Sequence, residues 1–335
     1  MKRRLLSLAY WLAFVALLWV DQASVLADSA RQRVLVALPA LYALTTQLCE
    51  GTQLDVQRLP SDRPVPMQSL ANALNRLGGQ PYEQAAAVVT LSSLWPADPL
   101  YPSARRHNLR IVDIDASRAW DPHQPALAVL RVPANDVPWA RSTSTEPGPS
   151  PFLWLGPVNG LRLATLIATD LARLAPDDAP RITTNLRQLE AGVRALKAEY
   201  GTRTVALNDA RVLSLASEFA YLFDDFGLYV EGWFVRQDID WSEADRSALT
   251  QYLRERDIQV VVHKWAPSAP IAEAIRAAGA RLVVLDVGNP GLFVDPKVRY
   301  ETFLRSNLNN LLAAFEAPAI DRAAKPGQAP TPAQP

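Results

Sequence analysis

The sequence predicts an α/β protein made of two α/β lobes with parallel sheets, joined by one long rigid helix. Three observations predict it. Short apolar runs alternate with helical stretches in two separate regions, at the spacing of parallel sheets flanked by helices. Between them, Ile182, Leu186, Leu189, Val193, Leu196 and Tyr200 recur at alternating steps of four and three, which puts them on one helical stripe. Residues 258–263, 270–278 and 281–286 then read as one tight strand–helix–strand unit.

In the first region, 33–38 reads as a buried strand, 41–49 as a helix and 54–59 as a second strand, ending in a proline-rich loop over 60–66. A helix over 69–77, strands over 86–91 and 110–114 and a helix over 101–106 complete it. The stretch 120–150 is rich in proline, serine and threonine, and 141–149 reads as an exposed loop. A helix follows over 158–174. The long helix is approached by Asp177 and Asp178 between two prolines and is expected to stop at Gly201, a length of roughly 27 Å. The second region gives strands over 211–216, 228–235, 258–263 and 281–286. Its helices are expected over 218–226, 242–256, 270–278 (capped by Ser268) and 297–315.

The chain ends differ in character. Lys2, Arg3 and Arg4 precede an almost wholly apolar run, and Val25-Leu26-Ala27 supplies small residues for cleavage after Ala27, so residues 1–27 read as a cleaved signal peptide and the protein as periplasmic. An uncleaved N-terminal membrane anchor is the alternative. Residues 317–335, proline among alanine, are expected to be disordered. Between them the divisions are 28–157 for the first lobe, 158–203 for the inter-lobe helices and 204–316 for the second lobe.

Thirty-four basic residues balance 34 acidic ones, which argues against a nucleic-acid partner. Cys49 is the single cysteine, so no disulfide framework exists, and it reads as a small core residue. There is no glycine-rich phosphate loop, nucleophile elbow or paired-histidine helix motif, and Ser217 has no histidine at a recognisable spacing. The chain does not read as an enzyme.

In open α/β sheets, ligands sit beyond the carboxyl ends of the strands. That rule selects Ser217 and Glu218, then His263, Lys264 and Trp265, then Asp286, with Met67, Phe152 and Trp154 opposite them. The result is an aromatic-walled cleft with a few charges, suited to a small polar or organic solute. Pairing of Lys264 with Asp286 or Glu218, closing the cleft without a ligand, is the structural alternative. Asp286, Glu218 and His263 would supply oxygen and nitrogen ligands to a divalent metal if they converged, although the Lys264 ammonium beside them opposes it. His107 and His123 read as surface residues, although His123 lies in the inter-lobe region, within reach of the cleft.

The segment Phe152-Leu153-Trp154-Leu155-Gly156-Pro157, followed by the long helix, resembles the zinc- and manganese-type periplasmic solute-binding proteins of ABC transporters, the TroA-like group, which carries Asp-Pro-His-x-Trp-Leu-x-Pro there. The resemblance extends over about 33–315. It implies a partner permease in the inner membrane and a solute, zinc or manganese in the family, bound between the lobes. The ligand positions depart from the family. Pro60 to Met67 holds no histidine, Phe152 stands for the second one, Ala216 for the third ligand and Lys264 for a glutamate, and Asp286 alone is kept. Tight zinc binding in the usual pocket is therefore not expected. A periplasmic interaction or assembly protein on a degenerate scaffold is the alternative function.

Overall fold

The computed structural model describes residues 31–317 except 120, 122, 124, 125, 141–147 and 208. The expected signal peptide, the tail beyond Ala317 and most of the 141–149 loop lie outside the described residues. No helix among the described residues is long and apolar enough to cross a membrane.

Two four-stranded parallel sheets organise the chain. In the first lobe, β1 (Gln32–Val36), β2 (Leu54–Arg58), β3 (Ala85–Thr90) and β4 (Val112–Asp115) lie in the order β2-β1-β3-β4. In the second, β5 (Arg211–Ser214), β6 (Tyr229–Trp233), β7 (Val260–His263) and β8 (Arg281–Val284) lie in the order β6-β5-β7-β8. Each sheet starts in its middle and builds outward on both sides, so strand order reverses beside β1 and beside β5. The central strands read as continuous apolar runs because helices cover both faces: Val260, Val261 and Val262 are all fully buried.

The first lobe carries α1 (Pro39–Leu48), α2 (Met67–Asn75), the single turn α3 (Gln80–Glu83) and α4 (Leu100–His107). Then come α5 (Pro157–Leu174) and the long α6 (Ala179–Val205), and the second lobe adds α7 (Ala220–Asp225), α8 (Glu243–Glu255), α9 (Ala269–Ala277) and α10 (Tyr300–Glu316). Proline at the first or second position of α1, α5, α6 and α9 starts each helix where a missing N–H costs nothing. Ser242 caps α8 through a reciprocal box with Asp245.

The 27 residues of α6 extend about 40 Å. Near its start Asn185 donates to the carbonyls of Leu48 and Glu50, and near its end Tyr200 donates to Asn309 of α10 at 2.5 Å. One rigid rod thus touches both lobes.

Three expectations need correction, and one element went unread. α6 does not stop at Gly201: it continues to Val205, with Thr204 buried and bonding the Gly201 carbonyl and Arg203 pairing with Glu316 at 2.8 Å, so the helix carries through a glycine that costs about 1 kcal/mol. The helix expected over 218–226 begins as a 3-10 turn, Ser217–Phe219. Ser268 occupies the N-cap of α9 without a side-chain cap bond; its amide instead donates to Asp238. The turn α3 carries too few apolar residues for periodicity to reveal it.

Candidate functional site

Strand ends position the second-lobe group. β5 and β7 are neighbours, so the turns that follow them bring Glu218 and Lys264 together. Lys264 Nζ donates to Glu218 Oε1 and lies 4.8 Å over the Trp265 ring. Glu218 is 7% exposed, and its Oε2 is enclosed with no hydrogen-bond partner. Ser217 opens the 3-10 turn beside it, and among the described residues no histidine bonds to it.

His263, at the end of β7, is 1% exposed. Its Nδ1 accepts the Lys264 amide at 2.8 Å, so the neutral ring carries its proton on Nε2, which faces Asp238 Oδ1 at 3.9 Å. Burial pushes its pKa down to about 4, assisted by Lys264 and opposed by Asp238. The ring also packs on Trp265, whose indole N–H donates to Asp238 at 3.1 Å. Asp238 therefore organises this cluster. Sequence reasoning passed over it, since nothing marks it beyond its place after the carboxyl end of β6.

Asp286 is differently employed. Its Oδ1 accepts the Gly288 amide at 2.8 Å and its Oδ2 the Leu292 amide at 2.5 Å. A β-carbon on Gly291, which has φ +52°, would stand 1.6 Å from Oδ1. The carboxylate thus closes the loop 286–294 upon itself. That loop meets the first lobe and the 3-10 turn Leu153–Leu155 that precedes α5: Met67 N–H donates to Asn289 Oδ1 at 2.8 Å, Arg58 to the Phe293 carbonyl at 3.4 Å, and Trp154 Nε1 to the Val287 carbonyl at 2.8 Å. The turn-forming Asn289-Pro290-Gly291 was the available signal for this loop.

Trp154 is 1% exposed, a core side chain against Phe152, with ring centroids 5.4 Å apart. Phe152 is half-buried. Of the first-lobe histidines, His107 stacks on Tyr82 at the end of α4, and His123 is exposed in the connecting segment.

The trio Asp286, Glu218 and His263 does not come together as a metal cage: each turns to a different partner, the loop amides, Lys264 and the Asp238 side. Among the described residues no three histidine, cysteine, aspartate or glutamate side chains are grouped to hold a metal ion. Histidine nitrogen and carboxylate oxygen are what zinc or manganese would require.

Comparison with curated protein sequences yields no match. Solved structures are similar in fold. A mutant of FpvC from Pseudomonas aeruginosa superposes with a TM-score of 0.65 at 21% identity, over 85% of this chain and 99% of that one. The metal-dependent lipoprotein YcdH from Bacillus subtilis gives 0.63 at 20% identity, over 84% and 98%. The cadmium-bound periplasmic metal-binding protein from Candidatus Liberibacter asiaticus gives 0.61 at 15%, over 85% and 99%. The family model of ZnuA, zinc-uptake complex component A, periplasmic, matches residues 66–314, well over half of the chain. Two parallel-sheet lobes, a long helix between them and that match make this chain a member of the ZnuA family of periplasmic solute-binding proteins.

Proposed function

We propose that this chain is the periplasmic binding component of an ABC transporter, delivering a solute held between its lobes to an inner-membrane permease, and that the family's histidine zinc site has been lost. The observation that carries the second half is the Lys264–Glu218 pair at the carboxyl ends of β7 and β5. An ammonium repels a dication, and here it stands against the buried Glu218 carboxylate. The solute is accordingly a small polar or organic molecule recognised by Glu218, Lys264 and Ser217, with Phe152 and Trp265 forming the apolar surroundings; Met67 and Trp154 are buried in the core and do not line the site. Cleavage after Ala27 releases the mature protein.

Metal analysis of the purified protein, followed by thermal-shift titration with zinc, manganese and a panel of small solutes, tests this reading. The expected result is no stoichiometric metal, and stabilisation by a solute that is lost in Glu218→Gln. A tightly held equivalent of zinc overturns it. A periplasmic interaction or assembly role is the second reading, favoured by the structural employment of Trp154 and Asp286, which leaves fewer groups for a ligand. It is preferred if an adequate solute screen gives no shift and the protein co-purifies with a partner other than a permease.

A further inference from the structure

A separate cavity of about 670 Å³ lies in the second lobe. It sits past the carboxyl end of β6, between Phe234 and Arg236 on one side and the first turns of α8 on the other, with Trp139 of the connecting segment in its lining. Its volume is that of a small-molecule pocket, typically about 300–1,000 Å³. Ser217, Glu218, Lys264 and Asp286 do not line it.

Its chemistry is specific. Phe234 and Trp139 pack with centroids 5.5 Å apart and give it an aromatic wall. The Arg236 guanidinium donates through Nη1 to Asp245 at 2.8 Å and lies 5.9 Å from the Phe234 centroid. A guanidinium has five donors in a planar fork, so a single such bond leaves others for a carboxylate. The Asp240 carboxylate lines the same cavity, is exposed, and among the described residues accepts no hydrogen bond. A simple anion would meet repulsion from Asp240 and Asp245, and a simple amine from Arg236. A zwitterion with an apolar body satisfies all three features.

We propose that this cavity binds a free α-amino acid with an apolar or aromatic side chain: the carboxylate on Arg236, the ammonium on Asp240, the side chain against Trp139 and Phe234. The site is independent of the inter-lobe reading. The test is isothermal titration of the full mature chain with L-phenylalanine and L-leucine, beside phenethylamine and 3-phenylpropanoate, which each carry one of the two charges. The amino acids are expected to bind, and each single-charge analogue about tenfold or more weakly. Asp240→Asn and Arg236→Gln should each weaken binding by about tenfold or more, and Arg194→Gln, on the exposed face of α6 and outside the cavity lining, should leave it unchanged. Arg236→Gln also removes a brace from α8, so Asp240→Asn, an exposed side chain, decides the matter if the other variant unfolds. No binding at millimolar amino acid, equal binding of the analogues, or unchanged binding in Asp240→Asn each overturns the proposal.

Discussion

The Lys264 ammonium rests on the Glu218 carboxylate, each group delivered by the turn after one of two adjacent strands. Glu218 is the deeper of the two, with 9% side-chain exposure against 21% for Lys264. Removing the cation leaves a carboxylate buried and unpaired, a change that typically costs about 3–5 kcal/mol, with the lower end expected because Lys264 reaches solvent. Lys264→Met should therefore lower the unfolding midpoint clearly, while Glu218→Gln with Lys264→Met should recover most of the loss. Denaturant unfolding of the two variants checks this. Equal destabilisation in both would mean that packing, not charge pairing, holds the site.

Much of the scaffold was legible because its signals are local. The stripe from Ile182 to Tyr200 and the valines of β7 needed only periodicity and apolar runs, and the strand-end rule singled out Glu218 and Lys264. The site's detail was not legible because it depends on distant pairings. Asp286 looks like a free ligand until the loop folds back and presents the amides of Gly288 and Leu292. Trp154 reads as a cleft wall until its indole meets the Val287 carbonyl, 133 residues away. His263 reads as a ligand until burial and the Lys264 amide fix its tautomer.

His263 and Asp98 give stability contributions of opposite slope. His263 falls from its ordinary 6.5 to about 4, chiefly by burial, so between those values the unfolded chain binds more protons. Its contribution is complete above about pH 6.5 and is lost as pH falls toward 4, up to about 3 kcal/mol. Asp98 rises from 3.8 to about 6 by burial, although the amides of Leu91 and Leu100 oppose the shift. Its contribution is greatest below about 3.8 and is lost as pH rises through 6. The two largely cancel between pH 4 and 6 in the wild type. His263→Phe should unmask Asp98, giving a variant whose stability declines from pH 4 to 6. Denaturant midpoints across that range measure it, and parallel profiles for the two proteins would refute the assignment.

Asp286 should act on the loop before it acts on any ligand. Asp286→Ala removes the acceptor for two backbone amides, and charge-assisted bonds of this kind are each worth about 1.5–3 kcal/mol. In the ligand-free protein, hydrogen exchange at the Gly288 and Leu292 amides should accelerate strongly, with a stability loss of about 2 kcal/mol or more. An Asp286→Ala protein with unchanged exchange at both amides would mean that the carboxylate does not close this loop.

The same loop fastens the second lobe to the first, and α6 spans both. Asn289→Ala removes the acceptor for the Met67 amide, and Arg58→Ala the donor to the Phe293 carbonyl. Each loss should cost about 1 kcal/mol, and the two will not add simply because both act on one loop. The lobes should nonetheless keep their spacing in the double variant. The rod remains anchored to the first lobe through Asn185 and to the second through Tyr200 and Lys197. Small-angle scattering should give an unchanged radius of gyration, while hydrogen exchange across 286–294 rises. A measurable expansion would instead make the loop, rather than the helix, the element that sets the distance between the lobes.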